Sequence, residues 1–350
     1  MMRSNRIVHS FYPSEIHSTM TLVRKDFTVT TIDGVEIGIR SVQLKDGHAS
    51  PPVPMILMHG TRIPGISEFD LPVAGGSLAE DLARSGHVCY IPDARGFGAS
   101  ARPNEMSKPP RPTKPIVRSL EITRDVDAAV NALRAETGAE RVGLFGWGTG
   151  GTVVLIYAAL WPEKVSHIIL YNPLYGGTPD HPEIGRGSRW EDPDRPMRFN
   201  QNKYGNYYFN QVDMLRKGWD NQIPIEDKDE WRDPAVLAAF EKALVDGDPT
   251  SLERNPPSYR SPNGMLEDSF YMGLGHKLIH ASQVYCRVMV ISPEYDTWTR
   301  RDDVTALKED LIHAEEVRIW EPANTTHYLL LDRPERGRAE ALRRIEDFLS

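Results

Sequence analysis

Apolar and polar positions along this chain follow two periods. Residues 27–42, FTVTTIDGVEIGIRSV, alternate β-forming and polar side chains on either side of Asp33-Gly34, which predicts a hairpin. Six short runs, VPMILMHG, HVCYIPD, RVGLFGW, VSHIILYNP, CRVMVIS and EEVRIWE, are instead apolar on both faces and bounded by turn residues. Such runs predict the central strands of a parallel sheet. Between them the period lengthens: Ile122, Val126, Ala129, Val130 and Leu133 share one helical face, as do Leu342, Ile345 and Leu349 near the C-terminus. The alternation predicts an α/β fold with a doubly wound, mostly parallel sheet.

The rhythm breaks once. Between YNPLYGG and SQVYCRVMVIS lie about 110 residues of helical character with no comparable strand, too long for a structureless loop. Asp233-Pro234 announces a helix there with Val236, Leu237, Phe240 and Leu244 on one stripe, and further helices are expected near 206–219 and 264–279. The expected organisation is an N-terminal extension (1–24), a core domain (25–173 and 284–350) and an inserted helical cap (174–283). Thirteen of the chain's thirty aromatic residues fall in that cap, among them Trp190, Tyr204, Tyr207, Tyr208, Phe209, Trp219 and Trp231. Singly they serve a small core; together they suit the wall of an apolar pocket at a domain junction.

Composition narrows the partners. A net charge of -8 with no basic block argues against nucleic acid, whose phosphates require clustered Lys and Arg. No run approaches the ~18 apolar residues of a membrane span, and MMRSNRIVHSFYPSEIHSTM lacks a signal-peptide core, so a cytoplasmic location is expected. Cys89 and Cys286 lie in strand-like apolar runs and read as free thiols, with neither a disulfide nor a zinc site implied. The Pro-rich stretch 101–115 reads as a stiff surface loop. A small apolar molecule is the expected partner; the oligomeric state is not encoded legibly, and a homodimer is compatible.

Residues 143–151, GLFGWGTGG, run from a buried strand through a glycine turn into a helix. Gly146, Gly148 and Gly151 match G-x-G-x-x-G, a dinucleotide fingerprint, but that mechanism also wants an acidic residue at the end of the next strand to hold the ribose. That strand ends in Tyr171-Asn172-Pro173. The same turn fits the G-x-S-x-G nucleophile elbow, with Gly146 and Gly150 flanking and Gly148 in the nucleophile's place.

With that turn, the chain over about residues 25–350 resembles the α/β-hydrolase superfamily. MILMHG ends in His59-Gly60 like the family's oxyanion-hole motif, and DARGFGAS (93–100) looks like its D-x-R-G-x-G-x-S turn. The acid expected after the cap is Asp296, with Glu294, Asp302 and Asp303 as nearby rivals, and the histidine of the late loop is His327. The chain order of elbow, acid and histidine is the family's. The resemblance implies an eight-stranded sheet, an oxyanion hole made by the N–H groups of Thr61 and Thr149, and no metal or organic cofactor. It also implies hydrolysis of an ester, lactone or related acyl bond of a fairly apolar small molecule, by an esterase- or lactonase-like Ser-His-Asp mechanism. Gly148 deletes the nucleophile. Thr149 is not expected to replace it, its side chain pointing away from the tip. Two readings follow: a chain inactivated at its nucleophile, or a natural pseudo-hydrolase that binds ligands or carries out non-hydrolytic, lyase-like chemistry. In either, His59, Gly60, Trp147, Trp190, Tyr207 and Trp219 are the expected pocket residues.

Overall fold

The computed structural model describes residues 21–47 and 52–350. Strands β1 (Leu22–Thr30) and β2 (Glu36–Leu44) form the hairpin around Asp33-Gly34, pairing antiparallel from Leu22↔Leu44 to Thr30↔Glu36. Leu22 to Arg24, read above as part of an extension, therefore belong to the sheet; residues 1–20 of that extension lie outside the described residues.

Next come β3 (Met55–Met58), α1 (Gly65–Phe69), α2 (Leu78–Arg84), β4 (Cys89–Pro92), α3 (Ser119–Thr137), β5 (Val142–Trp147), α4 (Thr149–Leu160) and β6 (Val165–Tyr171). The insertion follows, with β7 (Glu191–Asp192), β8 (Arg195–Phe199), α5 (Gln201–Tyr204), β9 (Tyr207–Gln211), α6 (Asp213–Gln222), α7 (Pro234–Asp246), β10 (Ser258–Pro262) and α8 (Gly264–Gly273). The chain then returns to the sheet through β11 (Arg287–Ile291), α9 (Arg301–Asp310), β12 (Glu316–Trp320) and α10 (Arg338–Leu349).

Eight strands form one sheet in the order β1-β2-β4-β3-β5-β6-β11-β12. The first two pairings are antiparallel and all those from β4 to β12 are parallel. Apolar runs become central strands because alternate residues feed separate cores on the two faces. In β5, Val142 and Leu144 join the cluster under α3 and α4, while Phe145 and Trp147 join the one under α2, α7 and α10. Ile168 and Leu170 split in the same way from Ile169 and Tyr171 in β6. The predicted face of α3 is fully buried, and each of its larger side chains removes apolar area worth roughly 1.5 to 3 kcal/mol. Cys89 and Cys286 are buried and free. No helix among the described residues is long and apolar enough to cross a membrane.

The insertion differs from the all-helical expectation. It carries two small hairpins, β7 with β8 and β9 with β10. The helix expected over 206–219 begins as a strand, because Tyr207, Tyr208 and Phe209 are β-formers and find Pro262, Ser261 and Arg260 opposite them. The helix expected to reach 279 stops at Gly273, followed by Gly275 at φ 87°. The α7 helix forms as expected, with Pro234 in its first turn and the Asp233 side chain accepting the Ala235 N–H. The Pro-rich loop packs against the insertion, where Tyr207 donates its hydroxyl to Lys108 O at 2.5 Å.

Candidate functional site

Ligands of open α/β sheets bind outside the carboxyl ends of the parallel strands, and the residues after β3, β5, β6, β11 and β12 converge there. The sharpest turn is the one after β5. A Cβ on Gly146 would lie 2.4 Å from Gly150 O, and one on Gly150 would lie 2.3 Å from Met58 O. The strand and helix therefore approach so closely that only glycine fits on either side of the tip. Gly148, at the tip itself, has φ 54° and ψ -117° and caps α4, and a Cβ there meets nothing within 4 Å. The turn is thus tight on both sides of its tip, with open space above a residue that has no side chain.

His327 and Asp296 are brought together beside the tip. His327 Nδ1 donates to Asp296 Oδ1 at 2.9 Å, and Asp296 also accepts the N–H groups of Trp298 (2.8 Å) and Thr299 (3.2 Å). Burial pushes the Asp296 carboxyl up, but His327 and these donors outweigh it and hold the group below the usual carboxylate range. The rivals are engaged elsewhere: Glu294 takes the Asn324 N–H, Asp302 the Thr178 hydroxyl, and Asp303 the N–H groups of Gly176 and Gly177. The His327 loop is anchored by residues to which the sequence reading gave no role in the site. Its carbonyl accepts from Tyr171 Oη and Asn172 Nδ2, both at 2.8 Å, and its N–H donates to Gln222 Oε1 at 2.6 Å.

Two contacts close this site on itself. Trp147 Nε1–H donates to His327 Nε2 at 3.1 Å, so the nitrogen that would take a proton already accepts one hydrogen bond. Thr61 N–H, a proposed oxyanion donor, gives its hydrogen to Thr149 Oγ1 at 2.6 Å. The Thr149 side chain therefore points to the Thr61 amide. The reason is local: an unpaired amide at a strand end is costly, and a hydroxyl on the first turn of α4 satisfies it.

Gly60, Thr61, Trp147, Gly148, Thr149, Trp190, Asp296 and His327 all line one cavity of about 210 Å³. Three expected lining residues do not. His59 is completely buried behind it, donating from Nδ1 to Gly60 O and accepting the Ala94 N–H on Nε2, so it braces the loop after β3. Tyr207 is spent on the Pro-rich loop. Trp219 is buried and donates to Asp332, which also receives Trp231 Nε1–H and the Thr326 hydroxyl. Burial pushes the Asp332 carboxyl up to about 7 against those donors. Trp219 acts at one remove, stacking on Tyr328 with ring centroids 4.6 Å apart, next to His327. The DARGFGAS turn is likewise a brace: Asp93 takes the N–H groups of Gly65 and Ala99, and Arg95 pairs with Asp125 and Asp33.

The cavity also holds residues the sequence analysis passed over. Glu68 is 2% exposed, accepts the Gly60 N–H at 2.9 Å, and is pushed well above the usual carboxyl range by burial. Arg62, half-buried at φ 70°, and Arg189 complete one side.

A profile of the alpha/beta hydrolase fold matches residues 53–216. Two solved structures align with more than nine-tenths of the chain. Est816, described as an N-acyl homoserine lactone degrading enzyme, aligns at TM-score 0.57 and 19% identity over 91% of this chain and 99% of its own. The chain has the α/β-hydrolase fold. An esterase from Exiguobacterium antarcticum agrees with this α/β-hydrolase assignment, with TM-score 0.56 and 13% identity over 93% and 99% of the two chains. Among curated proteins, 1-acylglycerol-3-phosphate O-acyltransferase ABHD5 of Homo sapiens is 28% identical over 160 residues, 44% of this α/β-hydrolase-fold chain and 37% of its own length. Its Mus musculus counterpart is 30% identical over 154 residues, 42% and 35% of the two chains. The alignment thus spans little more than a third of these curated relatives.

Proposed function

We propose that this is the site of a serine-hydrolase-type scaffold for an ester, lactone or related acyl compound of fairly apolar character, with Gly148 in the nucleophile's place. As it stands, the chain binds such compounds and turns them over only residually. The observation that carries this reading is the pairing of His327 with Asp296 beside an elbow tip that has room for a side chain and lacks one. A neutral imidazole whose Nδ1–H is held by a carboxylate keeps a basic Nε2, which can take a proton from a hydroxyl or from water. With a serine at the tip, that oxygen attacks the acyl carbon and an acyl-enzyme forms as the alcohol leaves. Water, deprotonated by His327, then releases the acid. With glycine, only direct attack by water remains. The names of the structural neighbours, a lactone-degrading enzyme and an esterase, and of the curated relative, an O-acyltransferase, share an acyl group, which supports an acyl ligand here.

A second reading, a pseudo-hydrolase that binds without turnover, draws on the two internal hydrogen bonds of Thr61 and His327. The groups a hydrolase aims at its substrate are here satisfied within the protein. Assaying aryl esters and lactones with the chain and with Gly148→Ser separates the two. Turnover and a covalent acyl adduct only in the serine form support the hydrolase scaffold. Binding with no turnover in either form supports the pseudo-hydrolase.

A further inference from the structure

Arg62 and Arg189 both line the cavity over Gly148, and both guanidinium groups lie over the ring of Trp190, with centroid distances of 4.9 and 4.8 Å. Among the described residues neither makes an ion pair. The one side-chain hydrogen bond from Arg62 among the described residues goes to Met214 Sδ at 3.8 Å, a weak acceptor. Contact with an aromatic face leaves the in-plane N–H donors free to bond elsewhere, and a guanidinium has five of them. Burial also pulls Arg62 below the ordinary arginine value, with no carboxylate among the described residues offsetting it. A half-buried cation held without a counter-charge by a left-handed residue is an unfavourable arrangement for structure alone.

The acidic groups that share the cavity do not supply the missing charge. Asp296 is committed to His327 and to two backbone N–H groups. Glu68 accepts the Gly60 N–H, and its burial favours the uncharged form. Glu183 is exposed and pairs with neither arginine. Two further hydrogen-bonding atoms of the same lining, Trp298 Nε1 and Thr61 Oγ1, are buried without a partner. Donors therefore exceed acceptors on this side of the cavity.

Resting on the acyl-compound reading above, we propose that Arg62 and Arg189 form an anion subsite, so that the ligand is a small acyl compound carrying a carboxylate or phosphate. The apolar part lies against Trp147, Leu215 and Leu266, and the anion against the arginines and the Trp298 indole N–H. A volume of about 210 Å³ lies below the ~300 to 1,000 Å³ of typical drug-sized sites, which favours a short acyl or alkyl chain.

Isothermal titration of the full chain tests this, since glycine at 148 keeps turnover low. The probes are mono-butyl succinate against butyl methyl succinate, and butyl phosphate against dimethyl butyl phosphate. The expected result is binding of at least one anion about tenfold or more tighter than its neutral partner, the effect of one charge-assisted hydrogen bond. Added salt should weaken that preference. Arg62→Gln and the exposed Arg189→Gln should each reduce it, and Arg62→Lys should keep part of it. A preference confined to the succinate or to the phosphate supports the subsite and names its anion. Equal binding of charged and neutral probes overturns the subsite while leaving the acyl pocket standing, as does a preference unchanged in both glutamine variants. Binding of none of the four probes overturns the pocket reading itself, and the subsite with it.

Discussion

Serine in place of Gly148 is the perturbation that the site geometry bears on most directly. The backbone there, φ 54° and ψ -117°, costs a residue with a Cβ about 1 to 3 kcal/mol, while the space above it is open to 4 Å. Strain without collision predicts a folded variant whose Tm falls by a few degrees. Activity moves the other way. A triad nucleophile is worth on the order of 10⁶ in turnover, or about 8 kcal/mol of transition-state stabilisation. Against this stand the two bonds that close the site, from Trp147 to His327 and from Thr61 to Thr149, each worth about 1 kcal/mol net to release. The remainder, about 6 kcal/mol, predicts a rise in kcat/KM of roughly 10⁴ to 10⁵ over the glycine chain. The assay is p-nitrophenyl butyrate hydrolysis by both forms, with intact-mass detection of a fluorophosphonate adduct on the variant and a thermal melt of each. A folded Gly148→Ser protein that melts higher and gains neither hydrolysis nor adduct would refute the elbow argument in both its parts.

In the Gly148→Ser background, Thr149→Ala frees the Thr61 N–H from its hydroxyl acceptor, and kcat should rise about five- to tenfold. A fall in kcat would mean that the hydroxyl itself helps to hold the reacting group. Asp296→Asn in the same background should lower kcat by about 10⁴, because an amide no longer holds His327 with Nδ1 protonated; near-normal rates would point to another acid. Glu68 bears on pH. Its folded pKa is raised by burial, so the fold carries no penalty from it below the unfolded value of 4.5 and a growing one as pH rises above that value. Glu68→Gln keeps an acceptor for the Gly60 N–H and removes the penalty, so its Tm should match the unsubstituted chain near pH 4 and exceed it increasingly toward pH 8. A Tm difference that does not change with pH would show that the pocket accommodates the ionised carboxylate.

Much of the scaffold could be read from the sequence because its causes are local. The two-faced apolar runs at 142–147 and 165–171 report directly that each strand has a core on either side. Asp233-Pro234 marks the start of α7 within a single turn. Gly146 and Gly150 announce a turn too tight for any Cβ, and Asp296 and His327 follow it in the order that lets the returning strands bring them together. The insertion was less legible, because Tyr207, Tyr208 and Phe209 become a strand only by pairing with residues 260–262, more than 40 residues further along the chain.

What the tertiary structure alone decided is where each polar or aromatic group spends its bonding capacity. Tyr207 and Trp219 looked like pocket walls by composition, yet a carbonyl of the Pro-rich loop and the Asp332 carboxylate claim them. The contacts that define the site's present state join residues 88 and 180 positions apart, Thr61 with Thr149 and Trp147 with His327. Glu68 and Arg62 carried no motif, and their interest arises only from burial without the usual partners. Periodicity reaches across a few neighbouring residues, and so it fixes strands, helices and turns. Whether a buried donor, acceptor or charge is satisfied depends on atoms that folding brings from elsewhere in the chain.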